Sequence, residues 1–232
     1  MNTFRFRFAA LPLALLMALS LSQTGCANMN RTGQGATVGA GAGAVIGGVI
    51  GRATGSTARG AIIGAAVGGT AGAVIGRQMD RQAAELEREL ENARVERVSD
   101  PATGAEGIAI RFDNALLFDL NRATLRPGVQ ADLRDLARSL QNYPDHDAVI
   151  VGHASTDGPA DHNQRLSEQR AQAVYQFLVA QGVPARRLMA YGRGENEPLP
   201  GIPGTSPENR RVEIAIYPNE QYRQRLQSQY GG

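Results

Sequence analysis

Two glycine runs constrain this chain more than any other feature. Residues 35–51 read GATVGAGAGAVIGGVIG and residues 60–76 read GAIIGAAVGGTAGAVIG, with glycine at 35, 39, 43, 47 and 51 and again at 60, 64, 68, 72 and 76. A strand would favour a period of two, whereas a period of four lays the glycines along one face of a helix. Missing side chains on that face let another backbone approach closely, as small residues do between helices in membranes. The opposite faces carry Val38, Val45, Ile46, Val49 and Ile50, then Ile62, Ile63, Val67, Val74 and Ile75. With the polar linker RATGSTAR between them, the runs predict two antiparallel helices joined by a short turn. Each would extend about 25 Å at 1.5 Å per residue, a little short of a ~30 Å hydrocarbon core. Glycine costs roughly 1 kcal/mol in a helix interior, so such a hairpin needs a protein partner or lipid. A flexible low-complexity spacer is the alternative.

The stretch MNTFRFRFAALPLALLMALSLSQTGC has arginines, an apolar run and small residues in the order of a secretory signal, which predicts a signal peptide over residues 1–25. Cys26 is the single cysteine of the chain, so no intramolecular disulfide is open to it. The segment resembles a bacterial lipoprotein signal, with Gln23 where leucine is usual, and that resemblance implies lipidation of Cys26. Ala27 in place of Asp after it implies the outer membrane, where more than one acyl chain makes anchoring stable. A plain secretory signal or a short membrane anchor is the competing reading. The glycine runs resemble the glycine-zipper segments of bacterial envelope lipoproteins, which implies self-association through residues 26–78.

The sequence pI of about 9.0 invites a nucleic-acid partner until the charge is located. Residues 105–218 hold 12 arginines against 14 acidic residues, so the globular part is not a polycation and no nucleic-acid role is expected. Residues 79–104 begin with charged helix-forming sequence, with Ala83, Leu86 and Leu90 on one stripe and arginine and glutamate elsewhere. They read as a solvated helix and linker, a connector or a short self-association seam.

From residue 105 the texture is globular. Gly107 to Phe112 and Leu116 to Leu117 read as short strands. Pro127 opens a helix with Val129, Leu133, Leu136 and Leu140 on its apolar face, and Pro144 stops it. DAVIVGH is a buried strand by its β-branched run. A second helix carries Leu166, Val174, Phe177 and Leu178 and ends at Gly182. RRLMAYG and RRVEIAIY are further strands around a long Pro/Gly loop, and residues 219–232 read as a flexible tail. The fold class is α/β (α+β): helices packed on a mixed β-sheet over residues 105–218, preceded by the glycine-zipper hairpin.

The blocks LFDLNRATLRPG, VGHASTDGPADHNQRLSEQRAQAVYQFLVAQGVPARRLMAYGRGENEP and NRRVEIAI resemble, in that order, the OmpA C-terminal domain shared by peptidoglycan-associated lipoproteins and flagellar stator proteins. The whole layout is similar to the YiaD-type outer-membrane lipoproteins. The resemblance implies non-covalent binding of the diaminopimelate-type stem peptide of peptidoglycan, and an outer-membrane lipoprotein facing the periplasm that tethers membrane to wall. A stem carboxylate calls for an arginine and its ammonium for an acid. The family pattern places its arginine on Arg170, its asparagine on Asn163 and its aspartate on Ser155. A serine hydroxyl cannot counter an ammonium, so Asp157 is the candidate replacement. Phe118 and Asn121 fall in the family's first loop near the pocket, and Arg210 or Arg211 would line the groove. The plainer roles are a surface ion pair of Arg170 with Glu168 or Asp161, a loop brace for Asn163, core for Phe118 and a structural pair for Arg210 and Arg211. A membrane-associated, self-assembling glycine-zipper protein with weak or no wall binding is the alternative function.

His153, Ser155 and Asp157 do not make a catalytic triad, because residues two apart on an extended chain do not converge. No compact ligand spacing accompanies His153, Asp157, Asp161 and His162. Neither an enzyme, a metal nor a cofactor is expected.

Overall fold

The computed structural model describes residues 56–100 and 103–230. Two helices come first, α1 (Thr57–Ile63) and α2 (Gly69–Glu89), followed by strands β1 (Ala93–Asp100) and β2 (Ala105–Asp113) and a single turn of helix, α3 (Asn114–Leu117). Then come α4 (Gln130–Asn142), β3 (His146–Gly152), α5 (Ala160–Ala180), β4 (Leu188–Gly192), β5 (Arg211–Pro218) and α6 (Glu220–Tyr230). The strands form one sheet in the order β1-β2-β5-β3-β4, in which only β3 and β4 run parallel. The fold is therefore the expected mixed sheet with helices. Ile108, Ile110, Phe112, Ile150, Ile214 and Ile216 point to one face, where α2, α4, α5 and α6 cover them. Val149, Val151, Ala215 and Tyr217 point to the other, under α1.

Helix α5 ends near its expected stop, with Gly182 at φ 94°, a left-handed position that favours glycine. The carbonyls at the end of α4 are capped from a distance. Arg187 donates to Leu140 O and Tyr143 O, both at 2.8 Å, and to His146 O.

Four expectations are corrected. The first glycine run lies outside the described residues, but the second is not one helix. Its front part is α1, N-capped by Ser56 Oγ. Its rear part is the first third of α2, and the chain turns between them because α1 and α2 cover opposite sheet faces. Gly69, at φ 69°, makes that turn, and a Cβ at Gly72 would sit 2.2 Å from Val67 O. Second, the Ala83, Leu86 and Leu90 stripe is no exposed seam: it is buried in the main core. The expected helix over the start of residues 79–104 is present as the rear of α2, to Glu89, but the expected linker after it is β1, whose eight residues pair with β2, while Arg97 is ion-paired with Glu106 and Asp80. Pairing with a sheet edge overrides the local helix preference of its arginines and glutamates. Third, Leu116 and Leu117 belong to a helical turn, since two apolar residues are too few to set a period. Fourth, the expected tail is α6, which Asn219 Oδ1 begins by accepting from Tyr222 N at 2.9 Å and which buries Tyr222 and Leu226. None of the helices among the described residues is long and apolar enough to cross a membrane.

Ile62 is completely buried against Gly107, whose added Cβ would lie 2.6 Å from the isoleucine Cγ2. Ile62→Ala is expected to cost about 2–5 kcal/mol in denaturant unfolding; an unchanged midpoint would mean that α1 is not docked. Two groups on β3 titrate in opposition. Burial lowers His146 to about 4, with Arg187 adding to the effect, and raises Asp147 to about 6 against the pull of Arg187. The unfolded chain takes up a proton at His146 near pH 6.5 that the folded protein refuses until about pH 4, so acidification removes stability there. Asp147 keeps its proton in the folded protein up to about pH 6, so acidification adds stability there. Asp147→Asn removes the second effect, and the fall in Tm from pH 6.5 to pH 4.5 should become steeper.

Candidate ligand pocket

The C-terminal end of β3 feeds the loop of residues 153–159 into α5. The two elements touch so closely that a Cβ at Gly152 would meet Ser167 O at 2.2 Å. The loop is stitched to the long connection between β4 and β5: Ala154 N donates to Gly194 O at 2.7 Å and Thr156 N to Gly204 O at 2.9 Å. Asn163, buried on the first turn of α5, donates through Nδ2 to Ser155 O and Asp157 O, both at 3.1 Å, and to Glu195 Oε2 at 2.8 Å. It is the brace of the loop.

Two turns further along α5, Arg170 is 3% exposed. Its Nε donates to Arg122 O at 3.0 Å, and its guanidinium carbon lies 5.5 Å from the centre of the Phe118 ring. Phe118 is therefore both core, at 1% exposed, and the floor beneath this cation. Burial, reinforced by the nearby Arg210, lowers Arg170 to about 10, so it stays charged at neutral pH. No carboxylate of the described residues pairs with it, and neither Nη makes a hydrogen bond among them. The ion pairs with Glu168 and Asp161 considered from sequence are not formed. Asn121, exposed at φ 53°, turns the preceding loop so that the carbonyl of Arg122 faces Arg170; asparagine tolerates that backbone region better than most residues.

Opposite stands a small polar cluster. Arg210 Nη1 lies 3.3 Å from both Asp157 Oδ2 and Ser155 Oγ, and Ser155 Oγ donates to Asp157 Oδ2 at 3.0 Å. Ser155 is buried, while the side chains of Arg210 and Asp157 are 35% and 56% exposed. An ion pair this exposed contributes about 0–1 kcal/mol, so a ligand can open it at little cost. Arg211 is no part of the pocket: it is fully enclosed and bound to Glu213 at 2.8 Å. His153 is buried away from the pocket, 3.7 Å from Glu213 and 3.9 Å from Glu197, with burial lowering its pKa. Cys26 lies outside the described residues.

Sequence reasoning missed the acceptor of Arg170, the Arg122 carbonyl, because a backbone oxygen has no residue signature. It also missed Glu195, whose one signal was an acid in an otherwise Pro/Gly-rich loop.

Residues 117–211 match the OmpA family, and residues 5–80 match the YMGG-like Gly-zipper. The chain carries an OmpA-family domain. The match begins inside α3 and ends at the first residue of β5, so α1, α2, β1, β2, the rest of β5 and α6 complete the sheet and core from outside the OmpA-family segment. Outer membrane protein A of Klebsiella aerogenes is 43% identical over 88 residues, 37% of this chain and 25% of that protein. The probable lipoprotein YiaD of Escherichia coli (strain K12) is 35% identical over 115 residues, 49% of this chain and 52% of that one. The chain thus spans between a quarter and a half of the length of these curated relatives. Among solved structures, a putative MotB-like protein from Desulfovibrio vulgaris superposes with a TM-score of 0.53 at 22% identity, covering 64% of this chain and 99% of that one. It shares the fold of the OmpA-family domain.

Asn163→Ala strips one brace from two carbonyls and a carboxylate. It is expected to cost about 1–3 kcal/mol and to speed amide hydrogen exchange in residues 153–159 more than elsewhere; uniform exchange would show that the loop holds itself.

Proposed function

We propose that this chain is an outer-membrane lipoprotein, anchored through Cys26, whose OmpA-family domain binds the stem peptide of diaminopimelate-type peptidoglycan from the periplasmic side and so tethers the membrane to the wall. The single observation that carries the reading is Arg170, a buried guanidinium aimed by Arg122 O and Phe118 and left without an acid among the described residues, with Arg210 beside it. Two converging guanidiniums suit a carboxylate. Asp157, loosely held by Arg210, receives the ammonium once the carboxylate has drawn Arg210 away, which supports its role as the replacement for the acid absent at Ser155. Asn163 fixes the loop, while Asn121 and Phe118 set the position of Arg170. Two relatives whose names place them in the outer membrane or among lipoproteins, outer membrane protein A and the probable lipoprotein YiaD, support the location. For the self-assembly reading, the docking of residues 57–76 onto their own sheet counts against zipper pairing of the second run.

Co-sedimentation with purified diaminopimelate-type sacculi tests the binding. Arg170→Ala should reduce retention tenfold or more, and Asp157→Asn should reduce it while leaving Tm within a degree or two. Full retention of Arg170→Ala would exclude this pocket.

A further inference from the structure

Helix α1 covers only part of the second sheet face. Beyond it lies a cleft of about 870 Å³, within the size range of small-ligand sites. β1, β2 and β5 form its floor, and Pro198, Leu199 and Pro200 form an apolar wall.

On that floor Arg94 and Arg111 stand directly opposite each other across β1 and β2. Like charges in directly opposed positions destabilise a strand pair, and neither guanidinium has a hydrogen bond or ion pair with a described residue. The acids that could have served them are taken. Glu96 accepts from Arg59 at 2.7 Å through both oxygens. Glu213, the cross-strand neighbour of Arg111, accepts from Arg211 at 2.8 Å and from Ser56 Oγ at 3.2 Å. A second and independent observation is Asn114, which lines the same cleft at 7% exposure with a buried Oδ1 that no donor of the described residues reaches. At the rim, the exposed carboxylates of Asp113 and Glu208 are in no ion pair with the described residues.

These features describe a ligand with carboxylate for two guanidiniums, N–H or ammonium donors for Asn114 Oδ1 and the rim acids, and an apolar body for the proline wall. A bare phosphate satisfies the first and is repelled by the rim. We propose that the cleft is a second binding site, adjoining the Arg170 pocket through Arg210, which lines both, that takes a short acidic peptide with its carboxylates held between Arg94 and Arg111.

Calorimetric titration of the full-length chain with the peptide Ala-Leu-Asp-Glu, free at both ends, tests this. Saturable binding of one peptide is expected, weakened about tenfold or more by Arg94→Gln or Arg111→Gln, as for a lost hydrogen bond to a charged group. Arg170→Ala should retain it, which separates this site from the wall-binding pocket. The analogue Ala-Leu-Asn-Gln-amide, which keeps the N-terminal ammonium but has no carboxylate, should fail to bind. In thermal unfolding without peptide, Arg111→Gln should leave Tm unchanged or raised, because it relieves repulsion. No binding, equal affinity in the Arg94→Gln/Arg111→Gln double variant, equal binding of the carboxylate-free analogue, or loss of binding in Arg170→Ala overturns the proposal. Binding of inorganic phosphate in place of the peptide overturns it too, as does a Tm that drops in both single variants, which would mark the arginines as structural.

Discussion

The position of β5 is the constraint on which the rest depends. It is the last strand in the chain and lies in the middle of the sheet, between β2 and β3, with seven of its eight residues buried. Its ladder to β2 joins residues about a hundred positions apart, so a large loop-closure entropy is met before either sheet face is complete. Both helical layers and both hydrophobic clusters need β5 in place. The candidate pocket needs it as well, because Arg210, at the threshold of β5, reaches the pocket only when the strand has paired beside β3.

The pocket is preorganised on one side and adjustable on the other. Arg170 is fixed by a carbonyl, a ring and burial, so its entropy of ordering is already spent on folding. Asp157 is exposed and Arg210 half-buried, and they are held by a contact of 3.3 Å, so they can exchange partners. The same connection between β4 and β5 that braces the pocket through Glu195 and Gly204 also accepts α1, where Glu197 takes hydrogen bonds from Thr57 N and Oγ1. One loop thus touches the ligand pocket, the cleft wall and the helix that enters from the N-terminal side.

The sheet and its principal helices could be seen in the sequence because burial there is periodic. Ile214 and Ile216 alternate, Leu133, Leu136 and Leu140 recur by helical turns, and Pro144 and Gly182 punctuate. What escaped lacked such a pattern. β1 is built from helix-favouring charged residues and exists because an edge was open to pair with. α6 shows only Tyr222 and Leu226 as apolar anchors in a polar stretch. Of the glycine period of four, Gly72 marks a close backbone approach, and its partner is Val67 O in the chain's own turn, which a local pattern cannot name. In the pocket, side-chain types announced Arg170 and Asn163, while the oxygen that aims Arg170 belongs to a peptide bond and the split between Arg210 and Arg211 follows from strand register alone.

Docking of α1 also gives the sheet a removable cover: with Thr57 pinned to Glu197, unfastening α1 and α2 would release residues 57–89 and bare part of both sheet faces at once.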